Sequence, residues 1–206
     1  MKLESIPEMK LVGGAACLDF INSGYNESEN LITERLHSYQ DLLLLIRKCG
    51  LINEIEFSEL KRTATASVQE AERILAEAIK VRTVFYRVFF LLTNDRAKEL
   101  DNGLLKKFNK ILNEPAKPQY TLAGNQLALE NKDKQAGLRL PLDLFIRSAS
   151  DLLTNKNQRL IKKCCGCEWF FLDETKNHSR KWCDMQDCGS IAKSKRYYHR
   201  KKDKKT

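Results

Sequence analysis

Five of the seven cysteines fall between residues 164 and 188. Four of them form two short-spaced pairs. Cys164 and Cys167 enclose two residues, Cys183 and Cys188 enclose four, and fifteen residues separate the pairs. Each pair can supply two sulfurs from one tight turn, and two such turns close a tetrahedron around a single ion. Thiolate softness selects zinc or iron among the common metals, and two short-spaced thiol pairs are the layout of structural zinc, so the expectation is one Zn²⁺ per chain. Cys165 competes with Cys164 for the first position, but its gap of one residue to Cys167 would strain the turn, so Cys164 is preferred. The alternatives are unrelated buried thiols or a redox Cys-x-x-Cys, and the second pair argues against both. His178 sits in the polar run Asn177-His178-Ser179-Arg180 and is not needed as a ligand. Four sulfurs leave no open position for a reactive water, so the metal is read as structural and the chain as no enzyme.

The same region carries the charge. After Asn155 lie 15 of the 36 Lys and Arg and 6 of the 27 Asp and Glu. The whole excess of +9 therefore sits in the last quarter, and residues 1–155 balance to zero. A helix is expected from about Ile191 to Lys202, with Lys193, Arg196 and Arg200 on one face at steps of three and four. Lys195 flanks that face, and Arg180 and Lys181 precede the second cysteine pair. A basic helix held by a metal-bound turn is suited to facing phosphate; the plainer reading is a solvated basic tail. DNA is the expected partner. RNA is the alternative, because Tyr197 and Tyr198 could stack on unpaired bases. An enzyme with an accessory metal module is a third reading, with little in the sequence to support it.

These residues need elements to position them. Residues 159–206 read as a small module of turn, strand, turn and helix, with the strand at Trp169-Phe170-Phe171-Leu172. Residues 1–155 read as a mainly helical domain with minor β, an α+β class overall, and the polar run 154–158 marks the boundary. The clearest helix runs from Val68 to Thr93, where Ile74, Ala78, Val81, Phe85, Val88 and Leu92 recur at steps of four and three. Arg73, Lys80 and Arg87 fall on another face and read as a solvated stripe. Further helices are expected at Tyr39–Cys49, closed by Gly50, at Ser58–Thr65, at Asp101–Leu112, and at Leu142–Leu153, opened by Pro141. A hairpin is expected around Gly124-Asn125. The run Ala15 to Ile21 reads as a short strand entered through Gly13-Gly14, whose spacing matches neither phosphate-binding glycine motif. Asp19 and Asn22 are the polar pair on that element. They could bind a small ligand, although a turn-capping role is the commoner use. Cys17 and Cys49 read as buried thiols, and His37 as a residue at a helix start.

No stretch approaches the roughly 18 apolar residues that a membrane helix needs, and the first ten residues lack a secretory apolar core. A cytoplasmic location, without membrane contact, is the expectation. A homodimer is also expected, since one small module covers only roughly 600–1,000 Å² of DNA.

The run Cys167-Glu168-Trp169-Phe170-Phe171-Leu172-Asp173, with Asn177, Ser179-Arg180, Trp182-Cys183 and Cys188-Gly189, resembles the CGNR zinc finger. Cys17-Leu18-Asp19-Phe20-Ile21-Asn22 and the stretch near Asp41-Leu42-Leu43 resemble the ABATE domain that accompanies it. The family is regarded as bacterial stress-related transcription regulators, so the resemblance implies a zinc-bound, DNA-binding C-terminus. Two departures stand out. Ser190-Ile191 replaces the family's Asn-Arg, and the first cysteine pair is more tightly spaced than usual.

Overall fold

In a computed structural model of the chain, residues 5–24, 33–115, 119–123, 126–130 and 137–203 are described. Among the described residues the architecture is mainly helical with two small antiparallel β-pairs. Helix α2, Tyr39–Lys48, begins at a capping box in which Ser38 and Asp41 satisfy each other's backbone N–H groups. It stops at Gly50, whose φ of +72° suits glycine after a helix end. Helix α3 spans Glu54–Ala66 and α4 Val68–Thr93. The apolar stripe of α4 is buried from Ile74 through Phe89, so its periodicity marks core. Helix α5, Asn102–Leu112, sets Phe108 edge-on to Phe85 at 5.5 Å. Strands β1, Gln119–Ala123, and β2, Gln126–Glu130, pair from Gln119↔Glu130 to Ala123↔Gln126. The intervening turn at Gly124-Asn125 lies outside the described residues. Helix α6, Leu140–Asn155, carries Pro in its first turn as expected and stacks Phe145 on Phe20 at 4.5 Å.

The run Ala15 to Ile21 is not a strand. Residues Ala16–Asn22 form helix α1, and Cys17 through Asn22 are all buried. An element covered on every side presents no polar face, so alternation and helical period cannot be told apart over seven residues. Gly14, at φ +76°, turns the chain into this helix, and a Cβ there would meet Leu172 at 3.2 Å. Packing against α4, α6 and the strand carrying Leu172 decides the conformation.

That strand belongs to the cysteine-rich module. Strand β3, Ile161–Lys163, was not among the elements expected from the sequence, since three residues are too short to show a period. It pairs with β4, Phe170–Leu172, in the register Ile161↔Leu172 to Lys163↔Phe170. Helix α7 spans Cys188–Asp203, beginning three residues earlier than periodicity placed it. The polar run at 154–158 covers the end of α6 and the start of a 3-10 turn at Gln158–Leu160. The units on either side of that run share one apolar core. Ile161, Phe170 and Leu172 belong to the same buried cluster as Phe20, Phe85 and Phe145, and Phe170 lies 5.5 Å from Tyr86 and 6.3 Å from Phe89.

Candidate metal centre

The β3–β4 hairpin presents Cys164 and Cys167 from its tight turn. Cys164 N–H donates to Trp169 O at 2.8 Å, and Glu168 N–H to Cys164 O at 3.1 Å. Glu168 takes φ +65° to close the turn. Gly166 N–H points at the Cys164 sulfur, at 3.3 Å. A Cβ on Gly166 would stand 3.2 Å from Cys188 Cβ, which explains a glycine at this close approach. Cys183 follows the loop from 173 to 182. Cys188 is the first residue of α7, where the helix N-terminus favours a negative sulfur.

The four sulfurs lie within 4.8 Å of one another. Cys167 and Cys183 are 3.4 Å apart, and Cys183 and Cys188 3.8 Å. A tetrahedron with Zn–S bonds of about 2.3 Å has edges of about 3.8 Å, so the donor set fits one zinc ion. Without a cation the neighbouring thiols cannot all ionise. Hydrogen bonds from Cys167 and Cys183 hold the Cys164 thiol below the ordinary range. The hydrogen bond to Cys164 pushes Cys167 up to about 12, and the same partner raises Cys183. Four thiolates this close need a cation to coexist. Cys165 is exposed and outside the cluster; its N–H donates to Lys181 O at 3.0 Å. Cys17 is buried and Cys49 half-buried, both with thiols pushed up to about 12 by burial.

A buried carboxylate organises the loop between the cysteine pairs. Asp173 is fully buried. It accepts from Lys162 Nζ at 2.6 Å, from Thr175 Oγ1 at 2.6 Å, from Thr175 N–H at 3.2 Å and from Arg180 N–H at 2.9 Å. Burial alone would raise its pKa, but these donors hold it well below the carboxylate range. Lys162 also donates to His178 O, and His178 Nδ1 lies 3.1 Å from Asp173 O. His178 therefore belongs to the loop's scaffold and stands outside the sulfur cluster. In the sequence Asp173 stands out only as part of the family motif. Its position directly after an apolar strand and two residues before Thr175 is the signal that could have found it.

Among the residues expected to meet nucleic acid, Lys181, Lys193, Lys195 and Arg196 are exposed. Arg196 stacks over Trp182 at 5.8 Å. The Arg200 and Tyr198 side chains lie outside the described residues. Arg180 is turned inward. Its guanidinium covers Phe171 at 4.7 Å and donates to Trp182 O at 2.8 Å and to Cys183 O.

Asp19 and Asn22 stand apart from the cysteines and are engaged by backbone. Asp19 Oδ1 accepts from Val12 N–H at 3.0 Å and Gly13 N–H at 2.9 Å. Asn22 pairs with Phe170 like a strand edge, accepting its N–H at 2.8 Å and donating to its carbonyl at 2.9 Å. A ligand at either residue would have to displace these bonds. Burial pushes the Asp19 carboxyl up to about 6. A folded-state value above the unfolded one means that its contribution to stability is full below about 4 and lost as pH rises through about 6. Asp19→Asn keeps the accepting oxygen and removes the charge. Urea titrations between pH 4 and pH 7.5 are expected to show a flatter pH profile for this variant, with no loss of stability at the upper end. A large loss at pH 7.5 would mean that the charge itself is required.

The N-terminal segment closes the other side of the module. Met9 is buried, Val12 packs on the cysteine cluster, and Lys10 bridges Asp187 and, at 3.5 Å, Asp184.

Comparison with known families places two matches on the chain. Residues 161–201 match the CGNR zinc finger, and residues 14–156 match ABATE, described as a putative stress-induced transcription regulator. No curated protein matches the chain.

Proposed function

The chain belongs to the ABATE family and ends in a CGNR zinc finger, and from that premise we propose that it is a regulator that binds DNA through the zinc module. The observation that carries this reading is the surface of α7. The helix starts on a metal ligand and displays Lys193, Lys195 and Arg196 to solvent, so the metal fixes the angle at which the charge is presented. Four thiolates and one Zn²⁺ lower the formal charge of +9 after Asn155 by two, leaving about +7, still strongly attractive to phosphate. Lys193 and Arg196 lie three residues apart and share a face. The arginine is the residue able to grip guanine with two bonds. In this reading the helical unit senses a signal or brings two copies together. No helix among the described residues is long and apolar enough to cross a membrane, and the proposed setting is the cytoplasm.

Duplex DNA and single-stranded RNA of equal length, titrated with the zinc-loaded protein over a salt series, test the proposal. Tighter, salt-dependent duplex binding is expected, with a slope of about −0.9 per phosphate neutralised. Changing Lys193, Arg196 and Arg200 together to Ala is expected to weaken binding and flatten the slope with zinc content unchanged. Preference for the single strand would favour the RNA alternative, in which Tyr197, 62% exposed, would stack on a base. Sedimentation of the free and DNA-bound protein tests the dimer, and a monomer in both states would remove it.

A further inference from the structure

On the side of the module formed by the 173–182 loop lies a groove of about 510 Å³, walled by residues 175–177 and 179–181 and by Trp182 and Met185. Lys176, Arg180 and Lys181 bring three cations to it, and no carboxylate lines it. The acidic residues nearby are already engaged. Asp173 is buried beneath its donors, and Glu174 pairs with Lys156 at 2.7 Å. Lys176 and Lys181 are exposed and form no ion pair with the described residues. Asn177 and Ser179, also exposed, add hydrogen-bonding groups between them.

The walls are held in place before anything binds. The Asp173 carboxylate holds Thr175 and Arg180, His178 takes φ +46°, and Lys181 O receives the N–H of Cys165 from the first cysteine turn. The Arg180 head is spent on Phe171 and two carbonyls. It lends its charge to the groove while shaping the wall, so it is a positioning residue. The groove also continues into α7. Trp182 lines it and lies under Arg196. Met185 lines it and would stand 3.2 Å from a Cβ on Gly189, in the first turn of the helix.

We propose that this groove seats the sugar–phosphate backbone of the duplex that α7 contacts, with Lys176 and Lys181 as the phosphate-binding residues. The assignment rests on the DNA-binding reading and extends it. A rigid cationic groove joined to a basic helix fixes the register and angle of that helix on DNA, which is the work of backbone contacts, while bases are read elsewhere. Phosphate contacts do not distinguish sequences, so the groove strengthens binding to all duplexes alike.

The test uses the full-length, zinc-loaded chain with the double variant Lys176→Ala/Lys181→Ala, its conservative counterpart Lys176→Arg/Lys181→Arg, and a set of duplexes of different sequence over a salt series. For the alanine variant the expected result is weaker binding to every duplex by a similar factor, and a log–log salt slope shallower by about two. One zinc per chain is expected to remain, and the arginine variant is expected to recover the parent's slope. If the parent binds duplexes and the alanine variant keeps the parent's slope, the groove assignment is overturned and the α7 contact stands. A loss confined to some sequences also overturns it, since that is the signature of base contacts. If the parent shows no salt-dependent duplex binding, the DNA-binding reading itself falls.

Discussion

Chelation of the metal at neutral pH is expected to unfold residues 161–203 and to loosen the helical unit with them. Without the cation, sulfurs within 4.8 Å of one another cannot all stay ionised, and the tie that the ion makes between the two cysteine turns and α7 is lost. Small zinc-binding peptides draw on the order of 10–16 kcal/mol of folding free energy from such a site. Trp169 and Trp182 flank the cysteines and report the loss through their fluorescence. Cys183→Ser should remove the metal, while Cys165→Ser should leave one zinc per chain, because the Cys165 sulfur is outside the cluster. Acidification should release the ion as the thiolates take up protons. Elemental analysis of the purified protein and its variants, with circular dichroism before and after chelation, checks each point. A protein without metal, or native spectra after chelation, would overturn the site.

Cutting the chain after residue 155 is expected to destabilise the helical unit severely. The cut removes Phe170 and Leu172 from the core shared with Phe20, Phe85 and Phe89, and loss of one large buried side chain costs about 3–5 kcal/mol. It also leaves the buried amide of Asn22 without its two partners on Phe170. An orphaned buried polar group costs about 1–3 kcal/mol, and whole domains are stable by only about 5–15 kcal/mol. In the intact chain Asn22→Ala isolates the polar part of this coupling, leaving the Phe170 N–H and carbonyl unmet on that side. Lower urea midpoints are expected for both, with the truncation the lower by far. A truncated protein as stable as the whole would show that residues 1–155 fold autonomously, as the sequence by itself suggests.

Signals that live within a few residues are legible in the chain itself. The spacing of the four cysteines picks out the ligands, because a tight turn brings both sulfurs of a pair to one ion whatever surrounds it. The stripe of α4, the Gly50 stop, the Pro141 start and the strand at Phe170–Leu172 have similarly local causes. Short elements are less legible. Buried on all sides, α1 has no period to show, and β3 consists of three residues that acquire strand geometry only by pairing with β4.

The roles of the polar residues divide along the same line. Sequence alone determined that this protein carries four cysteines spaced for one metal ion, with all of its excess charge in the same quarter of the chain, and a mainly helical remainder. Tertiary structure decided what the individual polar side chains do. Arg180 counts as a surface cation until the loop folds it over Phe171. Arg82 is one more cation within a helix until folding buries it beside Glu34 and Ser23. Asn22 becomes the tie between the two units only because Phe170, 148 positions away, arrives beside it. Metal-ligand spacing is a property of a short stretch of chain. The partner of a buried polar group is set by which distant backbone comes within hydrogen-bonding distance, and no local pattern records that.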